Sequence, residues 1–148
     1  MITQNTTYAP SEILLVDDSP ANLDVLSTLL NRQGYTVRTA INGALALRTI
    51  AVAPPDLILL DVIMPEMDGF EVCRRLKANP ASAGIPVIFL TALDNPPSQT
   101  NSFRLIGAVD YITKPFRLDD VLIRVEAHLA LAYARRQGQQ AGPYGSIA

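Results

Sequence analysis

The sequence predicts an α/β domain built on a five-stranded parallel sheet with helices on both faces. Short apolar runs alternate along the chain with longer segments that have the 3.6-residue period of a helix. Three runs are apolar at successive positions, as in strands buried on both faces, whereas Tyr35 to Ala40 alternates, as in an exposed edge strand. The five runs are residues 13–16, 35–40, 57–60, 86–90 and 109–113. This alternation of strands and helices is typical of a parallel sheet.

The predicted helices have recognisable beginnings and ends. Ser19 before Pro20 is an N-cap followed by proline at the first helical position, and Gly34 ends that helix. The other helices are predicted from Asn42 to Ile50, from about Gly69 to Ala78, from near Pro96-Pro97 (capped by Asp94 or Asn95) to Gly107, and from near Leu118 to Arg136. The domain then spans residues 12–136, between a flexible arm of residues 1–11 and a flexible tail of residues 137–148.

The composition excludes several classes of protein. The chain has 148 residues, of which 49% are hydrophobic and 18% charged, so one folded domain is expected and a disordered chain is not. A net charge of −2 argues against direct nucleic-acid binding, which needs a basic surface. One cysteine and one histidine exclude a disulfide framework and a zinc cluster. No membrane span is expected, and no basic residue precedes Arg32, so the chain is predicted to be cytoplasmic.

Chemically reactive side chains follow four of the five predicted strands. Asp17 and Asp18 follow the first, Asp61 the third, Thr91 ends the fourth, and Lys114 follows the fifth. Ligands of open parallel sheets bind beyond the carboxyl ends of the strands, so these side chains are expected to meet. Carboxylates without histidine or cysteine favour Mg²⁺ or a similar ion. A lysine and a threonine can hold phosphoryl oxygens, and Asp61 is the candidate nucleophile.

These residues lie in stretches that resemble the receiver domain of two-component response regulators, a CheY-like family, over about residues 12–133. The matching stretches are residues 13–18, 61–69, 90–92 and 107–116. The resemblance implies a three-layer, doubly wound (βα)5 flavodoxin-like fold with strand order 2-1-3-4-5. It also implies a role in two-component phosphorelay signalling, with no enzymatic activity beyond the domain's own phosphorylation and dephosphorylation.

The resemblance further implies a role for each site residue. Asp61 would accept a phosphoryl group from a phosphohistidine of a sensor kinase or phosphotransfer protein. Asp18, Asp61 and the backbone carbonyl of Ile63 would bind Mg²⁺ directly, and Asp17 would act through a bound water. Lys114 would pair with the phosphoryl oxygens, and Thr91 would move towards them. A partner-binding face would switch in response.

Other implied roles compete with structural interpretations. Tyr111 matches the aromatic switch that follows Thr91 inward, but it could simply cover the edge of the sheet. The bond between Lys114 and Pro115 would be cis. Gly69 can be explained by the turn after the third strand alone. His128 is interpreted as a solvated residue on the last helix.

Two alternative functions rest on the same aspartates. A phosphohydrolase of the haloacid dehalogenase kind has a second aspartate two residues after its nucleophile, where this chain has Ile63, which transfers no proton. A flavin-binding flavodoxin has a phosphate-binding loop after the first strand, where Asp17 and Asp18 would repel a phosphate. Both alternatives are therefore disfavoured.

The last predicted helix is longer than the sheet requires. Its apolar residues recur at steps of four and three, the spacing of a coiled-coil seam, at Leu118, Leu122, Val125, Leu129 and Ala132. The first half is expected to pack on the sheet, and residues 129–134 are predicted to contact a second copy in a homodimer. The pair Arg135-Arg136 is interpreted as a helix C-terminus. No effector domain is expected within the chain, so an effector must be a separate protein or domain.

Overall fold

The computed structural model describes residues 11–92 and 103–147, with side chains up to residue 138. Within these residues five strands alternate with five helices, and residues 103–106 belong to the fourth helix, α4. The other elements are β1 Glu12–Val16, α1 Pro20–Arg32, β2 Thr36–Ala40, α2 Gly43–Val52, β3 Leu57–Asp61, α3 Gly69–Ala78, β4 Val87–Thr91, β5 Asp110–Thr113 and α5 Leu118–Ile147. The predicted N-terminal arm, except Ser11, and the predicted start of the fourth helix lie outside the described residues.

The five strands form one parallel sheet in the order β2-β1-β3-β4-β5, which confirms the predicted fold class and strand order. Alternate residues of each strand enter two separate cores, because successive side chains point to opposite faces. Leu14 and Val16 pack with residues of α2, α3 and α4. Ile13 and Leu15 pack with residues of α1 and α5. The central strands β3 and β4 are buried at every position, while the edge strand β2 is largely exposed or half-buried.

The helix caps form as their side chains predict. Ser19 Oγ accepts a hydrogen bond from the Asn22 amide at 3.3 Å, and Asn42 Oδ1 accepts one from the Leu45 amide at 2.8 Å. Asp68 caps α3 through the amide of Glu71, a role that the sequence analysis does not assign. These caps determine where each helix begins beside the carboxyl ends of the strands.

The last helix differs from its prediction at the C-terminal end. It continues through Arg136 to Ile147, so the predicted boundary at residue 136 is wrong for the helix, and Arg135-Arg136 do not form its C-terminus. Alanine and glutamine favour helix, and a glycine inside a helix costs only about 1 kcal/mol relative to alanine, so Gly138 does not end it. In the described part of the chain, no helix is both long and apolar enough to span a membrane.

The predicted coiled-coil seam of α5, apart from Leu118, which is 45% exposed, is instead the face that packs on the domain. Val125 and Ala132 are buried, and Leu122 and Leu129 pack against the core shared with α1. The expectation that this stretch contacts a second copy is therefore wrong at Ala132, which the domain buries, whereas Leu129 is only partly covered. A four-three spacing marks one face of a helix without indicating what lies against it.

Candidate functional site

The predicted carboxylates meet at the carboxyl edge of the sheet. Val16 at the end of β1 pairs with Leu60 of β3, so Asp17 and Asp61 follow at the same level on neighbouring strands. Oxygens from Asp17, Asp18 and Asp61 all lie within 4.8 Å of one another. Asp17 and Asp61 are buried, with 1% and 2% of their surface exposed, whereas Asp18 is exposed. Three hard oxygen donors at this spacing could hold a divalent metal ion.

Hydrogen bonds within the protein occupy both oxygens of Asp17. Its Oδ1 accepts from the Ser19 amide at 2.9 Å, and its Oδ2 accepts from the Asn22 side-chain amide at 3.1 Å. The sequence analysis missed Asn22, although its place in the first turn of α1, five residues after Asp17, is a usable signal. These bonds hold Asp17 in place and leave Asp18 and Asp61 as the carboxylates with the more available oxygens.

Asp61 is the most electrostatically perturbed group of the site. The pKa of Asp61 is raised from 3.8 to about 6, chiefly by burial and secondly by the negative charge of Asp17, while Lys114 and the Ile63 amide oppose the shift. The Ile63 amide donates to Asp61 Oδ1 at 3.4 Å. A carboxylate so crowded by negative charge is stabilised by any added cation. A metal ion bound here would therefore reduce the repulsion between the negative charges of Asp61 and Asp17.

Lys114 supplies the only ammonium group in the described part of this site. Its Nζ lies 3.1 Å from Asp61 Oδ1 and 3.4 Å from Asp17 Oδ2. Its backbone amide donates to the carbonyl of Thr91 at 2.8 Å, which ties the β5–α5 loop to the end of β4. The bond between Lys114 and Pro115 is cis. The predicted lysine and threonine therefore reach the same edge of the sheet as the carboxylates.

Gly69 allows the β3–α3 loop to close tightly behind Asp61. Its amide donates to the carbonyl of Val62 at 2.8 Å. A Cβ at this position would overlap the carbonyl oxygen of Asp61 and would lie 2.9 Å from the Cα of Val62. The turn interpretation of Gly69 is therefore incomplete, because the residue also determines the position of the Asp61 backbone.

Tyr111 packs towards α4 from the neighbouring strand position. Its ring centroid lies 5.1 Å from that of Phe103, with an angle of 59° between the planes. The side chain is half-buried against the core shared with α2 and α3. Thr91, on the adjacent strand, is buried at 6% exposure. Tyr111 thus connects β5 to α4 beside the strand that ends in Thr91.

His128 is not a solvated residue, which corrects the interpretation made from the sequence. Its side chain is 18% exposed, and Nε2 lies 3.0 Å from Asp110 Oδ2. Arg124, one turn earlier on α5, donates to Asp110 Oδ1 at 2.7 Å. The sequence conceals this network because Asp110 lies on another element, 18 residues before His128.

Comparison with known proteins identifies relatives of this chain. Residues 13–126 match the family model described as response regulator receiver domain. The chain is 46% identical over 113 residues to the response regulator PleD of Caulobacter vibrioides, covering 76% of this chain and 24% of PleD. It is 43% identical over 117 residues to the DNA-binding dual master transcriptional regulator RpaA of Synechocystis, covering 79% of this chain and 48% of RpaA. The chain thus spans between about a quarter and a half of these relatives.

Solved structures share the fold. The Vibrio cholerae chemotaxis protein CheY4 matches with a TM-score of 0.74 and 31% sequence identity, covering 80% of this chain and 98% of CheY4.

Proposed function

Since the chain belongs to the response regulator receiver domain family, we propose that it is a phosphoacceptor switch in which Asp61 receives a phosphoryl group from the phosphohistidine of a sensor kinase or phosphotransfer protein. The observation that carries the proposal is the position of Asp61. Its carboxylate is buried between two other aspartates and the ammonium of Lys114 at the open edge of the sheet.

The donor set supports Mg²⁺ as the cofactor. Asp18, Asp61 and the backbone carbonyl of Ile63 would hold the ion directly, and Asp17 would act through a bound water, since both of its oxygens already accept hydrogen bonds. When bound, the ion supplies positive charge that stabilises negative phosphoryl oxygens and opposes the repulsion among the aspartates.

The chain's own residues perform the transfer. An Asp61 oxygen attacks the phosphorus, the O–P bond forms as the P–N bond to the donor imidazole breaks, and the nitrogen takes up a proton as it leaves. The Lys114 ammonium pairs with one phosphoryl oxygen and the Thr91 hydroxyl donates to another. The later loss of the phosphoryl group to water restores the Asp61 carboxylate. The domain therefore catalyses only its own phosphorylation and dephosphorylation.

The output of the switch follows from Thr91 and Tyr111. Movement of Thr91 towards the phosphoryl group opens space into which Tyr111 turns, which changes its contact with Phe103 of α4. The altered face of α4, β5 and α5 then binds an effector protein or domain. The net charge of −2 on the whole chain favours a protein partner in the cytoplasm over nucleic acid.

Incubation with Mg²⁺ and acetyl phosphate tests the proposal. Intact-mass analysis should show one added phosphoryl group, and hydroxylamine should remove it, because it is an acyl phosphate. Asp61→Asn should show no adduct, because an amide is a poor nucleophile, while Asp24→Asn on the exposed surface of α1 should react normally. Circular dichroism establishes that both variants are folded. An adduct that persists in folded Asp61→Asn would overturn the assignment.

A further inference from the structure

Asn22 holds a neutral hydrogen-bond donor against a buried carboxylate of the site. Its side-chain Nδ2 donates to Asp17 Oδ2 at 3.1 Å, and its backbone amide donates to Ser19 Oγ, the cap of α1. A carboxylate oxygen only accepts hydrogen bonds, so the nitrogen of the Asn22 side chain, and not its oxygen, must face Asp17. The first turn of α1 therefore places an N–H group in the site without adding charge to it.

Asn22 and Lys114 donate to the same oxygen of Asp17. The Lys114 ammonium lies 3.4 Å from Asp17 Oδ2 and 3.1 Å from Asp61 Oδ1, so it is shared between the two carboxylates. The Asp17 side chain is 1% exposed, so bulk water cannot replace a donor that this carboxylate loses. If Asn22 did not donate, the uncompensated charge on Asp17 would therefore draw Lys114 more strongly.

Phosphoryl transfer requires Lys114 to turn away from Asp17. Phosphorylation removes the carboxylate charge of Asp61 and places negative charge on the phosphoryl oxygens, with which Lys114 then pairs. The charge of Asp17 remains and competes for the same ammonium. A hydrogen bond to a carboxylate stabilises its charge, so the bond from Asn22 weakens this competition.

We propose that Asn22 is a positioning residue for phosphoryl transfer, because its bond to Asp17 Oδ2 allows Lys114 to leave Asp17 for the phosphoryl group on Asp61. The inference rests on the proposed function, since it assigns a role within the same transfer. It also has a consequence for the protein without metal or phosphodonor. There, Asn22 and Lys114 stabilise the Asp17 carboxylate together, and each contributes more when the other is missing.

Urea unfolding of the metal-free protein tests whether the two donors share Asp17. The wild type, Asn22→Leu, Lys114→Ala and the double variant are compared with a chelator present. Lys114→Ala should lower the free energy of unfolding more in the Asn22→Leu background than in the wild type, because Asp17 then loses both donors. Asn31→Leu, the same change at an exposed position near the other end of α1, should leave the effect of Lys114→Ala unchanged. Additive effects of Asn22→Leu and Lys114→Ala would overturn the proposal.

The rate of labelling by acetyl phosphate at saturating Mg²⁺ tests the role in transfer. Asn22→Leu should take up the phosphoryl group at least about tenfold more slowly than the wild type, because Lys114 stays with Asp17. Asn22→Asp keeps the shape of the side chain but replaces the donor with an acceptor, and it should also be slow. Asn31→Leu should react at the wild-type rate. If circular dichroism shows Asn22→Leu to be unfolded, Asn22→Ala, a better helix former than asparagine, takes its place in both experiments.

The outcomes separate this inference from the proposed function. A folded wild type that takes up no phosphoryl group would refute the proposed function, and with it the role of Asn22 in transfer. A wild type that is labelled on Asp61, beside an Asn22→Leu variant labelled at the same rate, would refute the role of Asn22 alone. A wild-type rate in Asn22→Asp would also refute it, because the shape of the side chain would then be sufficient.

Discussion

Lys114 and Asp61 form an ion pair of 3.1 Å between the ends of β5 and β3, two strands that β4 separates in the sheet. Lys114 also reaches Asp17 on the loop after β1, so its single charge lies between two buried carboxylates. One cation cannot neutralise two such carboxylates and the exposed Asp18 beside them. The site therefore has excess negative charge, and the predictions below follow from that excess.

Removing the lysine should destabilise the protein through the carboxylates that it leaves behind. Lys114→Ala should lower the free energy of unfolding at pH 7 by about 2–4 kcal/mol, because buried carboxylates lose their partner. In an Asp61→Asn background, the same change should cost at least about 1 kcal/mol less, since a neutral amide needs no counter-charge. Urea unfolding of the four proteins measures this coupling. Arg117→Ala, whose ion pair is exposed, should cost less than about 0.5 kcal/mol.

Neutralising Asp61 should stabilise the metal-free protein at neutral pH. The pKa of Asp61 is raised from 3.8 to about 6 in the folded state. Below pH 4 the carboxyl group is protonated in both the folded and the unfolded state. Between pH 4 and pH 6 the unfolded chain loses this proton first, so the stability of the wild type falls as pH rises and the loss is complete above about pH 6.

The Asp61→Asn variant should lack this loss. At pH 7 its free energy of unfolding should exceed that of the wild type by about 1–3 kcal/mol, and at pH 4 the two should nearly coincide. Urea unfolding with a metal chelator present, across pH 4 to 7, makes the comparison. Equal free energies of unfolding of the wild type and the Asp61→Asn variant at pH 7 would show that the charged Asp61 carboxylate does not destabilise the folded protein.

Removing an exposed carboxylate should abolish most of the metal affinity. Asp18→Ala should weaken Mg²⁺ binding at least about tenfold, because the ion loses a direct ligand and one negative charge of the site. Isothermal titration calorimetry or quenching of intrinsic tyrosine fluorescence follows the binding. Asp119→Ala, another exposed aspartate but remote from the site, is the matched control and should bind Mg²⁺ as the wild type does.

Adding one methyl group at Gly69 should lower both the stability of the protein and its affinity for Mg²⁺. Gly69→Ala places a Cβ against the carbonyl of Asp61, so the end of β3 must shift, at a cost of about 1–3 kcal/mol in stability. Mg²⁺ binding should weaken in parallel, because Asp61 moves with its backbone. Gly84→Ala is the matched control, since a Cβ there meets nothing within 4 Å. Equal thermal stability of the two variants would show that the loop absorbs the methyl group without moving Asp61.

The order of the elements and the position of the site could be predicted because their signals are local. A strand buried on both faces is apolar at successive positions, and a helix cap is one side chain bonding to an amide a few residues later, as at Ser19 and Asn42. The acidic strand ends meet because parallel strands end at one edge of the sheet. The sequence therefore predicts one site made of Asp17, Asp18, Asp61, Thr91 and Lys114.

Only the tertiary structure decided the contacts between residues that no local pattern connects. The bond from Asn22 to Asp17 depends on the angle at which α1 leaves β1, and the His128–Asp110 contact depends on how α5 lies against β5. The apolar period of α5 predicts a helix with one apolar face, but it does not say which residues stay exposed. The domain covers Val125 and Ala132, whereas Ile123 and Leu131 are exposed. Periodicity records the spacing of side chains along one helix, whereas burial depends on which other parts of the chain pack against it.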